Sequence, residues 1–189
     1  MKRNLLVLLA LAAVVSRAFA SDNPTAFELI KLGDKYIGEQ SKDKVVQIRS
    51  EKSVASLMPN IWHVVYYDPD ANFKSVEIKF GAGQKMDVSH PWRVLEMGSD
   101  AHKTFDNAKL KIDSDKAIKT ATTQPLLSNL TIKATQLWLL HGDNGPEWKV
   151  ELWAAKLKNP NDNADIGAVW ISAEDNSVIK SDLHPGNVD

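Results

Sequence analysis

The order in which hydrophobic periods follow one another constrains this chain more than any single motif. A stretch of period near 3.6 is followed by several of period 2, and the same order then comes round again. In the first round Ala26, Leu29, Ile30, Gly33 and Ile37 make an apolar helical stripe, with Asn23 the expected N-cap and Pro24 at the first helical position. Strands are expected over 45–50, 61–67, 73–80 and 85–95, where Pro91 demotes the end of the last to an edge or a bend. In the second round Ser114 is the expected N-cap, Ala117, Ile118 and Ala121 share one helical face, and Pro125 closes the pattern. Strands are expected over 130–140, 148–157, 165–173 and 177–183, with a turn-rich hairpin connection at 141–146. The polar stretch 98–112 fits a linker. The fold class expected is therefore α+β: two units in tandem, 21–97 and 113–189, each a helix packed on its own antiparallel sheet.

The N-terminus reads as a cleavable secretory signal peptide over 1–20. Lys2 and Arg3 supply the positive start, and the apolar run over 5–15 is too short for a bilayer, which needs about 20 residues. Ala18-Phe19-Ala20 offers the small-x-small pattern, so cleavage is expected between Ala20 and Ser21, and the mature protein is expected to be secreted or periplasmic. No later apolar run reaches membrane length, so no membrane insertion is expected after cleavage. Losing the cations Lys2, Arg3 and Arg17 lowers the net charge from −1 to −4, which argues against a nucleic-acid partner. The sequence has no Cys, so disulfides, thiolate nucleophiles and Cys-ligated zinc are excluded together, and stability rests on burial, to which six Trp can contribute.

Motifs of catalysis are missing: the chain has no Gly-x-Ser-x-Gly elbow, no phosphate-binding glycine loop and no His-Glu-x-x-His helix. His63, His90, His102, His141 and His184 lie in different elements at no ligand-like spacing. Two loops rich in Asp and Asn, 68–72 and 159–165, have oxygen ligands at alternating positions but lack the Gly and Glu of a calcium-binding EF-hand, and turn formation accounts for them. Asn129-Leu130-Thr131 spells a glycosylation sequon. No catalytic residue, metal ligand or cofactor is assigned.

Around the central hairpins the two rounds can be aligned: 59–64 (PNIWHV) answers to 146–150 (PEWKV), and 83–86 (GQKM) to 176–179 (NSVI). The segments 114–118 (SDKAI), 148–152 (WKVEL) and 167–179 (GAVWISAEDNSVI) resemble a PepSY domain, with Asn176 where Gly is usual. The resemblance spans about residues 113 to 183, with a fainter counterpart over 24–95. It implies a PepSY/cystatin-like fold and an extracytoplasmic module of the kind found in protease propeptides and stand-alone secreted proteins, which bind or restrain a partner. The function expected is that of an exported, non-enzymatic binding module acting on a protein or peptide partner, regulating a protease or another extracytoplasmic protein. The alternatives are a small-ligand carrier or enzyme with a pocket between helix and sheet, and a structural envelope protein.

Matching apolar faces sets expected strand registers. In the first hairpin Val64 should lie opposite Val76, Trp62 opposite Ile78 and His63 opposite Glu77, with Asp70 at the loop centre. In the second, Leu152 should pair with Ile171 and Val150 with Ala173. Lys149 then falls opposite Glu174, and Trp153 opposite Trp170, on the face away from the helix. Trp153 and Trp170 are thereby the candidate partner-binding residues, a rigid amphipathic platform.

Overall fold

The computed structural model describes residues 23–90 and 103–189. The signal segment with Ala20 and Ser21, Pro91 with the end of its expected strand, and residues 98–102 of the expected linker lie outside the described residues. Among the described residues two short α-helices are present, α1 over Ala26–Gly33 and α2 over Ser114–Thr122. Strands β1 (Val45–Ser50), β2 (Ile61–Tyr67), β3 (Ser75–Gly81) and β4 (Gln84–Ser89) follow the first helix. Strands β5 (Ile132–Gly142), β6 (Gly145–Ala155), β7 (Asn163–Ser172) and β8 (Val178–Leu183) follow the second.

The expectation of two helix-plus-sheet units in tandem is overturned. All eight strands belong to one antiparallel sheet, ordered β4-β3-β2-β1-β5-β6-β7-β8, and the sheet dominates the fold. Its centre is a seam where β1 pairs with β5, Ile48 opposite Leu139 and Arg49 opposite Trp138. Side chains continue the seam where the ladder stops. Ser50 Oγ accepts from Leu137 N–H (2.9 Å), Ser53 Oγ from Thr135 N–H (2.9 Å), and Gln136 Nε2 donates to Ser50 O (3.0 Å). The physical reason is edge closure: in separate sheets β1 and β5 would each carry a row of unpaired amides and carbonyls, and joining them removes both edges.

The helices lie on one face of this sheet, and their N-termini meet over the seam. Asp113, not Ser114, caps α2; its Oδ1 accepts from Ser114 N–H (2.6 Å) and also from Phe27 N–H of α1 (3.1 Å). Ser114 Oγ accepts from Ala26 N–H (3.0 Å), so two adjacent residues satisfy open amides of both helices. The cap of α1 is Thr25, not Asn23: Glu28, three residues on, reaches back to the Thr25 N–H (2.9 Å), the carboxylate half of a capping box. Beneath the helices runs one hydrophobic core, from Leu29, Tyr66 and Ile78 under α1 through Ile48 and Leu139 to Leu152 and Ile171 near α2. Trp62 and Trp148 are fully buried in it, and Phe27 of α1 packs on Trp148 with ring centroids 6.0 Å apart. The chain over 103–112 is fastened at both ends: Phe105 is buried and donates its N–H to Val45 O, and the N–H groups of Lys111 and Ile112 both reach Ala173 O.

Both expected registers are displaced. In the first hairpin Val64 lies opposite Ile78, Trp62 opposite Phe80 and Tyr66 opposite Val76, a slip of two residues. In the second, Trp148 lies opposite Ile171, Val150 opposite Val169 and Lys149 opposite Trp170, a slip of four. An even slip leaves every side chain on its own face, so alternation alone cannot tell these registers apart. The observed ones bring Phe80 and Trp148, two large inward side chains, into direct cross-strand pairs. A bulge at Ile166 and Gly167, where Gly167 has φ +97°, lets Ile166 turn into the core while Asp165 faces Trp153.

Candidate functional site

The sheet carries helices on one face only among the described residues, and alternation decides what its other face presents. Along β5, β6 and β7 the buried set is Leu137, Leu139, Trp148, Val150, Leu152, Val169 and Ile171. The residues between them, Gln136, Trp138, Lys149, Glu151, Trp153 and Trp170, are half-buried on the outer face. Three Trp therefore lie on a face that no helix covers. Trp138 went unassigned in the sequence, although the inward pair Leu137 and Leu139 flanking it is the signal that points it outward.

Directly opposed residues form one transverse row through all eight strands: Asp87, Lys79, His63, Arg49, Trp138, Lys149, Trp170 and Lys180. Its half on β5 to β8 alternates aromatic ring and cation. Lys149 Nζ lies 5.0 Å from the centroid of Trp138 and 5.7 Å from that of Trp170, and Lys180 Nζ lies 4.5 Å from Trp170 on the other side. All three distances suit a cation over a ring face. The expected platform is corrected here. Trp153 does not lie opposite Trp170; it faces Asp165, and Lys52 Nζ sits 4.3 Å from its ring. Lys149 is opposite Trp170 instead of Glu174, and its carboxylate partner is Glu151, 2.6 Å away on the same strand. Both assigned Trp thus remain on the outer face, but the neighbouring pair is Trp138 and Trp170 with Lys149 between them.

The other half of the row is an ion network. His63 stands opposite Lys79, yet its Nδ1 lies 2.7 Å from Glu77 Oε1, reached diagonally, and its Nε2 is 3.5 Å from Glu51. Arg49 holds the second Glu77 oxygen at 3.1 Å, and Lys79 bonds Glu51 at 2.8 Å. Burial pushes the Glu77 carboxyl up, but the His63 hydrogen bond and the Arg49 charge outweigh it and leave it below the usual carboxylate range. The Lys79 bond lowers Glu51 in the same sense. Both ring nitrogens of His63 face carboxylates, an arrangement that ties three strands together.

The remaining sequence candidates are dispersed. His90 Nε2 lies 3.9 Å from Asp68, His141 stacks on Phe105 at 4.1 Å, and His184 lies 3.2 Å from Asp182. Among the described residues no group of three or more His, Asp or Glu is placed to hold a metal ion. In the two acidic loops the oxygens close turns: Asp68 accepts from Asp70 N–H, Asp162 from Asn159, and Asp165 from Gly167 N–H. A hollow of about 660 Å³ opens beside α1 and the β3–β4 turn, lined by Pro24, Glu28, Lys31 and Gln84, but it faces solvent broadly. A smaller one of about 180 Å³ lies on the outer face itself, walled by Trp170 with Lys149, Glu151, Asp182 and His184. Comparison of the chain with family models, with curated proteins and with solved structures finds no match.

Proposed function

We propose that the chain is an exported binding module that holds a protein or peptide partner against the outer face of its sheet, centred on Trp138, Lys149 and Trp170, with Trp153 beside them. The observation that carries this reading is the placement of three Trp on a face that no helix covers among the described residues, where an antiparallel sheet ordinarily presents polar side chains. Trp is the residue most enriched among those that dominate binding energy, because a large rigid ring is buried at little entropic cost. The signal-peptide pattern supports an extracytoplasmic partner, and the PepSY-like segments make proteases the first class to test. The space between helices and sheet is filled by Leu29, Tyr66, Ile118, Val150 and Leu152, which favours a surface over a pocket.

The test compares the exported protein with a Trp138→Ser/Trp170→Ser variant as immobilised bait in the native extracytoplasmic fraction. The reading expects one protein to be enriched reproducibly by the first and lost by the second, with a melting temperature only a few degrees lower in the variant. Equal capture by both, or no enrichment by the unaltered protein, overturns it.

A further inference from the structure

Strand β8 ends the sheet, and the residues from Val178 to Asp182 along it are exposed. One bond fixes which of its backbone groups face outward. His184 N–H donates to Ile166 O at 2.8 Å, while Asp182 lies opposite Ala168 and Lys180 opposite Trp170. By the alternation of antiparallel ladders, the amides of Lys180, Asp182 and His184 turn toward β7, and those of Ser181 and Leu183 toward the open edge. The side chains of Lys180 and Asp182 share the outer face with Trp170.

A strand of this order is complementary to its own copy run antiparallel, and the geometry points to a second copy of this chain as the partner of β8. With Ser181 on the two-fold axis, the two Ser181 residues exchange backbone hydrogen bonds. Lys180 then stands opposite Asp182 of the second copy and Asp182 opposite its Lys180. These two pairs fall at non-hydrogen-bonded positions, where cross-strand side chains come closest. Leu183 meets Ile179 of the copy, where the bulge between Trp170 and Ile171 ends the regular run. Within one chain Lys180 Nζ is 4.0 Å from Asp182, so a closer carboxylate is there to be gained. A lysine in mid-edge ordinarily deters pairing with other strands. Here it deters every strand except one with a carboxylate opposite, which its own copy supplies.

The other edge lacks this property despite the same Lys-x-Asp spacing at Lys85 and Asp87. A register shift between Lys79 and Phe80 sets Lys85 opposite inward Phe80 and Asp87 opposite outward Lys79, so the two charges lie on opposite faces. Pairing through β8 also makes the outer face continuous across the axis, with two Trp170 rings in one surface. It is independent of the partner-binding role, since an edge can pair whether or not the face is occupied.

Sedimentation of the exported protein over about 1 µM to 1 mM tests the pairing, a range suited to a small interface. A monomer–dimer equilibrium is expected, abolished by Lys180→Asp and by Asp182→Lys and restored by the double exchange Lys180→Asp/Asp182→Lys. Hydrogen exchange supplies a second readout that needs no variant: the Ser181 amide should slow as concentration rises. A protein monomeric throughout the range, a dimer indifferent to the single variants, a double exchange that fails to restore it, or a Ser181 amide equally fast at all concentrations overturns the proposal. So does a dimer lost through Lys85→Asp instead.

Discussion

At Gly33 the backbone of α1 presses against Tyr66 and Ile78 of the sheet. A Cβ built there would stand 2.2 Å from the Tyr66 hydroxyl and 3.0 Å from its Cζ, and that hydroxyl donates to Ile30 O in the same helix at 2.8 Å. A glycine that costs the isolated helix about 1 kcal/mol relative to alanine is thus what lets a buried tyrosine bond the helix backbone. Its helical stripe is legible in the sequence, but the reason for the glycine is not, because Tyr66 lies on a strand far along the chain. Gly33→Ala should destabilise the protein by about 1–3 kcal/mol through overpacking, and Tyr66→Phe by about 1 kcal/mol through the lost bond. Combined, they should cost less than their sum, since removing the hydroxyl clears the atom nearest the new methyl. Urea denaturation of the three variants measures the coupling, and strict additivity would mean that the two residues do not share this contact. The same limit hid Trp138: its outward placement follows from its neighbours, whereas its use depends on Lys149 and Trp170 arriving beside it from other strands.

Strands are legible as elements because their period survives in the sequence: seven of the eight lie within a few residues of where alternation puts them, and the fourth begins at Gln84, beside its expected start, while the far end of its expected span lies outside the described residues. Register is less legible, since a slip by two or four residues keeps every face and is decided by which large side chains meet. Caps fall between these cases: Asn23 and Ser114 have suitable side chains, but Thr25 and Asp113 have the better partners, Glu28 and the amide of the other helix. Because Asp113 serves both helices, Asp113→Ala should cost about 1–3 kcal/mol, more than one ordinary cap, and thermal unfolding would show it. The ion network across β1, β2 and β3 sets a pH dependence. Glu77 and Glu51 have carboxyls held below their ordinary value in the folded protein. Their contribution is therefore complete above the ordinary carboxylate range near pH 4.3 and is lost as pH falls through the lowered folded value. Burial raises the Asp113 carboxyl and so acts in the opposite sense, which makes variant against wild type the proper comparison. Glu77→Gln should lower the melting temperature above about pH 5 and flatten its fall below about pH 4. Parallel pH profiles for the two proteins would show that the network is not what acid removes.

At the scale of the molecule, two rounds of helix and strands are joined into one sheet, and the sequence conceals the join for a definite reason. The seam rests on two ladder pairs and on the hydroxyls of Ser50 and Ser53, polar groups that no hydrophobic period registers. Those hydroxyls matter because the amides they receive, Leu137 N–H and Thr135 N–H, are buried in the middle of the sheet, where water cannot replace a lost partner. A buried donor left unsatisfied costs about 1–3 kcal/mol, so Ser50→Ala with Ser53→Ala should destabilise the protein by about 2–6 kcal/mol, a large share of a domain's 5–15 kcal/mol. How that loss is distributed is the sharper question. The core passes without interruption beneath the seam, from Trp62 and Ile78 through Ile48 and Leu139 to Trp148 and Ile171, and both helices draw on Asp113 and Ser114. Neither half can then unfold without exposing apolar surface of the other. Urea titration followed by Trp fluorescence and by far-UV circular dichroism should give one coincident transition, shifted as a whole to lower urea in the double variant with its slope unchanged. Two transitions in the unaltered protein, only one of them sensitive to the serines, would show that the halves fold separately and that the seam merely brings them together.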